Sequence, residues 1–361
     1  MVRTAAALLV PLAGLLACNG PGATTSFASS SPGPTSTPPD TGTSDASSTA
    51  AGSTTDPGGS ADSAEPMRDL GTMPDLGPVQ PVGCKGKIDF LFMISREGGM
   101  QGYQEQLLAS FPGFIATIEG MFPDFDTHIM VGNPDGTWPG DACQKYACQD
   151  YWPTCGPEAE DYDCSAAYKL ATECDRVLGA GILYNAGPYA TNKLCTLAGG
   201  HRYITRDEPD PTAAFECIAR VGSYGPWQPL GDATVAALSP YFDVGKCNDG
   251  FLRDDALLVI TLIMHSEDNK SKGTPADWYK AIVHAKQYDL DAVVMLAVIA
   301  QPMKYPEQDC VFDSNGEDPL RDLVTMFPYH VEGDICAPSF TPYFTAAAEM
   351  VGEACDSFIP Q

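Results

Sequence analysis

Two stretches constrain the fold most: "LLVITLIM" at Leu257–Met264 and "AVVMLAVIA" at Ala292–Ala300, both almost wholly apolar. A strand with one wet face alternates apolar and polar residues. Runs of this kind fit strands covered on both faces, in the middle of a parallel sheet. Phe90–Ile94 and "THIMVG" at Thr127–Gly132 are two further strand candidates, and "RYIT" at Arg202–Thr205 is a weaker edge candidate. Helical patterns lie between them. Leu107, Leu108, Phe111, Phe114, Ile115, Ile118 and Phe122 recur at helical spacing, with Pro112 as a kink. "TPADWYKAIVHAKQY" offers Thr274 as N-cap and Pro275 at the first helical position, and "TPYFTAAAEMVGEACDSF" repeats this with Thr341 and Pro342. Strand, helix and strand in this order imply an α/β fold with a doubly wound, mostly parallel sheet flanked by helices. Residues 133–200, rich in Cys, Tyr, Gly and Asp, break the rhythm and read as a disulfide-rich insertion.

That fold occupies residues 84–361 as one domain. Residues 18–83 are dominated by Ser, Thr, Pro, Gly, Ala and Asp. They hold too little apolar surface to offset the entropy of ordering, so they read as a disordered linker. Residues 1–17 carry Arg3 and an apolar run too short for a membrane span, closing on "LLAC" at Leu15–Cys18. This resembles a bacterial lipoprotein signal with Cys18 as the lipidated residue, the linker then acting as a tether. Thirteen cysteines are an odd number for an exported protein, and setting Cys18 aside leaves twelve, all in the domain. So many structural bridges imply an exported protein of the cell envelope, at the outer membrane or cell surface, held there by the lipid alone. The formal net charge is −27. That excludes nucleic acid and anionic membrane surfaces as partners.

"IDFLFMISREGGM" from Ile88 to Met100 resembles the first strand and loop of von Willebrand factor A-type domains, which usually read close to "VDILFVIDNSGSM". "VGSYGPWQPLGDATVAALSP" is similar to that family's second loop and following helix, and "LLVITLIMHSEDNKSKGTPADWYKAI" to its fourth-strand segment. "GDICAPSFTPYFTAAAEMVGEACDSF" resembles the C-terminal part of a lipoprotein branch of this fold seen in myxobacteria. The resemblance implies a metal-ion-dependent adhesion site built from Asp-x-Ser-x-Ser, a Thr and a further Asp around a Mg²⁺-like ion. Those positions fall here on Ser95, Glu97 and Gly99, on Gln228, and on Ser266, or on His265 if the alignment slips by one. The family's carboxylates are thus replaced by hydroxyls, and Glu97 reaches into the ion's place. A degenerate loop that keeps its shape without a metal or other cofactor is the expectation, with a looser Ca²⁺ site from Glu97, Glu267 and Asp268 as the alternative. The termini of this fold often sit together, which implies Cys84–Cys355. Cys310–Cys336 is expected near the C-terminal loops, and pairing among the eight cysteines from Cys143 to Cys247 stays open.

The functional expectation is a non-enzymatic lipoprotein whose domain mediates adhesion or binding to an envelope or extracellular protein, independent of metal. No nucleophile elbow, phosphate-binding loop or H-E-x-x-H is present. Among the histidines, only His265 stands suggestively, at a strand's carboxyl end. An envelope hydrolase using the His265/Glu267 loop is the catalytic alternative, and a structural surface protein without a retained ligand site is the third.

Overall fold

The computed structural model describes residues 84, 86–135, 170–185, 187, 189–223, 225, 228–239, 246–301 and 318–358. Five strands, β1 (Lys87–Ile94), β2 (Asp126–Gly132), β3 (Leu257–Met264), β4 (Val293–Ile299) and β5 (Tyr329–Asp334), form one sheet in the order β2-β1-β3-β4-β5. Every pairing in that sheet is parallel. All residues of β3 and β4 are buried, as their apolar composition requires.

Among the described residues, six helices cover the two faces: α1 (Gln101–Met121), α2 (Pro211–Ala219), α3 (Leu230–Ala237), α4 (Pro275–Ala285), α5 (Pro319–Val324) and α6 (Thr341–Ser357). Alternation along β1 divides the core. Ile88, Phe90, Phe92 and Ile94 pack with Phe111 and Phe114 of α1, Phe215 of α2 and Phe344 of α6. Leu91 and Met93 face the opposite way, with Leu230 of α3, Trp278 and Ile282 of α4, and Leu323 of α5. The helix after β1 therefore lies on one face and the helix after β3 on the other. The carboxyl ends of these neighbours form a topological switch point, where sheets of this order open a crevice.

Local chemistry explains most helix boundaries. At α4, the Thr274 hydroxyl accepts the Asp277 N–H at 3.3 Å, and the Asp277 carboxylate accepts the Thr274 N–H at 3.1 Å. This is a reciprocal capping box, and Pro275 fills the first turn, where an N–H would be unpaired. At α6 the expectation is off by one residue. Thr341 is already helical and Phe340 is the N-cap, because the Ser339 hydroxyl accepts the Thr341 N–H at 3.2 Å. Helix α1 runs through Pro112 without interruption. No helix among the described residues is long and apolar enough to cross a membrane.

Cys84 and Cys355 form a disulfide, with Cα atoms 4.8 Å apart. Cys174–Cys247 and Cys195–Cys217 are two more. Each has one cysteine inside 133–200 and one outside it, so these bridges tie the insertion to the rest of the domain. Cys336 is also disulfide-bonded; Cys310 lies outside the described residues, as do Cys143, Cys148, Cys155, Cys164 and the lipidation candidate Cys18. "RYIT" contributes a single antiparallel bridge, Ile129 with Ile204.

Candidate functional site

The segments after β1 and β3 meet over the switch point. Ser95 is buried, and its N–H donates to Ile263 C=O of β3 at 2.9 Å. The Ser95 hydroxyl accepts the Glu97 N–H at 3.2 Å, which turns the chain so that Glu97 projects towards the segment after β3. There the Ser266 hydroxyl donates to Glu97 Oε2. His265 Nδ1 stands 3.6 Å from the same oxygen, and His265 Nε2 lies 3.0 Å from Gly98 C=O. A carbonyl only accepts, so Nε2 carries the ring hydrogen and Nδ1 turns its lone pair to Glu97. Burial pulls the His265 pKa below its usual value, opposed by the charge of Glu97 and the bond to Gly98. Gly99 has φ 101°, and a Cβ there would sit 3.1 Å from His265 Nε2, so a side chain is strained and crowded.

Gln228 enters from the segment before α3. Its Oε1 accepts the Arg96 N–H at 2.7 Å, and Arg96 C=O accepts the Gly225 N–H at 2.7 Å. The Arg96 side chain is buried, turned inward beside Gly225. The Asp135 carboxylate, in the segment after β2, flanks the same glycine.

Ser95, Glu97 and Ser266 are thus linked directly, Gly99 lies against His265, and Gln228 holds the backbone of the same loop. Three contributors were not singled out in the sequence. Gln104 of α1 donates to Ser95 C=O at 3.2 Å and to Gly222 C=O at 2.7 Å, and it accepts the Gly222 N–H at 3.2 Å. The Ser223 hydroxyl donates to Glu97 C=O at 3.0 Å. Asp135 is the third. Gln104 had a visible signal, a polar residue in register with the apolar stripe Leu107, Phe111, Phe114.

The expected alternatives fare differently. Asp268 does not join Glu97. Its Oδ2 accepts the Gly231 N–H at 2.8 Å and the Ser271 hydroxyl at 2.7 Å, while Oδ1 accepts the Ser271 N–H at 3.0 Å. It pins its own turn to the start of α3, which corrects the grouping of Glu97, Glu267 and Asp268 as Ca²⁺ ligands. For the hydrolase reading, the carboxylate that His265 faces is Glu97, across the strands. The Ser266 hydrogen goes to that carboxylate, and no hydrogen bond links Ser266 to His265 among the described residues.

No protein-family model matches the chain, and no curated protein matches it.

Proposed function

We propose that the chain is a lipid-anchored protein of the cell envelope whose von Willebrand A-like domain binds another protein through the loops over β1 and β3. The reading involves no catalysis and no Mg²⁺. The observation that carries it is the convergence of Ser95, Glu97, Gln228 and Ser266 at the switch point of a doubly wound sheet, where such sheets take their ligands. Glu97 is the chemical centre of that surface. Its Oε2 is held by Ser266, its side chain is 24% exposed, and no lysine or arginine among the described residues pairs with it.

The donor set supports independence from Mg²⁺. That ion requires near-octahedral oxygen ligands and gives up its hydration reluctantly. Here the Ser95 hydroxyl, Gln228 Oε1 and one Glu97 oxygen are already engaged in internal hydrogen bonds. Calorimetric titration of the full chain with Mg²⁺, Mn²⁺ and Ca²⁺ is expected to give no saturable heat. Capture of a partner from envelope extract is expected to survive chelator and to fail with Glu97→Lys. Saturable binding of a divalent ion that disappears in Glu97→Ala would overturn the metal-independent reading.

The anchor has a separate test. The "LLAC" ending and the odd cysteine count motivate lipidation of Cys18 after removal of residues 1–17. The intact mass of membrane-extracted protein is expected to show a chain starting at a lipid-modified Cys18. A mature chain that begins elsewhere, or an unmodified Cys18, would refute the anchor.

A further inference from the structure

The sheet ends in two edges, and the fold treats them differently. Along β2, Ile129 exchanges two hydrogen bonds with Ile204, at 2.9 and 2.8 Å, and Val131 C=O accepts the Ile182 N–H at 3.0 Å. Nothing comparable covers β5 among the described residues. In a parallel strand the N–H and C=O of one residue point to the same side, and successive residues alternate. The Ile335 N–H meets Ile299 C=O of β4 at 3.0 Å. Tyr329, Val331 and Gly333 therefore turn their backbone groups to β4, and His330, Glu332 and Asp334 turn theirs outwards. The N–H and C=O of His330 and Glu332, and the N–H of Asp334, have no partner among the described residues. Asp334 C=O is already used, accepting the Ala337 N–H at 3.0 Å. Pro328, just before the strand, offers a C=O and no N–H.

The usual protections of an open edge are missing here. The register with β4 runs unbroken from Val294 opposite Tyr329 to Ile299 opposite Asp334, so no bulge twists the strand away. The strand holds neither lysine nor proline, and Tyr329, His330, Val331 and Glu332 are each half-buried. Its carboxylates are engaged at home. Glu332 Oε1 accepts from Arg321 Nε at 2.9 Å and from Gln301 Nε2 at 3.0 Å, and Asp334 Oδ1 accepts the Cys336 N–H at 2.8 Å.

What fits this edge is the strand itself, run antiparallel about a two-fold axis. His330 then lies opposite Glu332 of the second copy, each giving an N–H and taking one, and the Asp334 N–H meets Pro328 C=O. Proline lacks an N–H just where Asp334 C=O is already bonded, so no outward backbone group is left over. Val331 meets its own copy on the axis. Tyr329 lies opposite Gly333, where a Cβ would come within 2.7 Å of the Tyr343 ring, an aromatic residue over a glycine. A slip of two residues either way sets His330 against His330 or Glu332 against Glu332, and strands a donor or an acceptor.

We propose that β5 is an interface between two copies of this chain, which joins their sheets edge to edge in the His330–Glu332 register. The contact is isologous, so it closes on itself and stops at a dimer. It sets a basic residue opposite an acidic one, and each Glu332 keeps its own Arg321, which limits repulsion between two acidic chains. Neither Glu97 nor Ser266 takes part, so this proposal and the proposed function stand or fall separately.

The test is sedimentation of the full chain in detergent over a concentration series, at about 0.15 M salt so that net-charge repulsion is screened. A monomer–dimer equilibrium with Kd below about 100 μM is expected. His330→Lys puts a full positive charge opposite Glu332 and should tighten the dimer about threefold or more, while His330→Glu should weaken it by at least about that factor. Both variants lose the bond from His330 Nδ1 to Phe327 C=O, so the opposite signs isolate the cross-strand pair. Hydrogen exchange reads the natural chain directly: the His330 and Glu332 amides should slow as dimer forms. If circular dichroism shows that either variant misfolds, this exchange decides alone. A chain that stays monomeric to about 1 mM, or a dimer that responds alike to both variants or to neither, overturns the proposal. So does a dimer in which those amides exchange as fast as in the monomer, the result expected of association through the linker or the anchor.

Discussion

Replacing Cys84 and Cys355 together by serine is expected to lower stability by on the order of 3–5 kcal/mol, the largest loss from removing any one bridge seen here. The bond joins positions 271 apart in sequence, against 22 for Cys195–Cys217. In the chain-entropy model the stabilisation grows with the logarithm of loop length, which makes the longer bridge worth about 2 kcal/mol more. Both cysteines are buried, 2% and 7% exposed, so serine at these positions also sits in apolar surroundings. The bridge holds the start of β1 against α6, whose Phe344, Val351 and Phe358 belong to the core cluster on that face. Urea unfolding of the two double variants decides the matter. A midpoint loss in Cys84→Ser/Cys355→Ser no larger than in Cys195→Ser/Cys217→Ser would refute the ranking.

How far the fold could be read from the sequence followed burial. Strands β3 and β4 were legible because strands covered on both faces leave unbroken apolar runs. Strand β5, "YHVEGD", was missed: five of its six residues are only half-buried, and an edge strand with His, Glu and Asp carries no apolar period. Arg202–Thr205 looked like a strand, but the turn at Thr205–Glu208 limits it to one bridge. The same distinction governs the site. Glu97 and Ser266 could be placed together because the resemblance to von Willebrand A-type domains implied that their loops converge; in the structure β1 and β3 are neighbours in the sheet. Gln104 to Gly222 and Ser223 to Glu97 bridge separations of more than a hundred residues through side chain and backbone. No spacing in the sequence encodes such contacts; only the completed topology brings them together.

Arg253→Ala is expected to cost about 3–5 kcal/mol, because it strands a buried carboxylate. Asp89 is fully buried at the start of β1, an unusual place for a charge. Arg253 satisfies it twice: its backbone N–H donates to Oδ2 and its Nε to Oδ1, each at 2.8 Å. The same guanidinium donates to Asp126 Oδ2 at 2.6 Å, to Asp126 C=O at 2.9 Å and to Ile88 C=O at 3.2 Å. One side chain thus ties together β1, β2 and the approach to β3. Burial still pushes the Asp89 carboxyl up to about 6, against the attraction of Arg253. His128, with Nδ1 3.6 Å from Asp89, is pushed down to about 4, mainly by burial. The two act in opposite senses on acidification. Asp89, raised from 3.8, lends stability that is full below pH 3.8 and lost as pH rises through about 6. His128, lowered from 6.5, lends stability that is full above pH 6.5 and lost as pH falls through about 4. Asp318, also buried and raised to about 6, adds to the Asp89 sense. His128→Gln removes only the acid-side loss. Relative to the natural chain, that variant should therefore gain stability steadily as pH falls from 6.5 to 4, read from urea midpoints at several values in that window. A midpoint difference between the two chains that stays constant with pH would show that His128 is not held neutral in the fold, and would undo this account of the cluster.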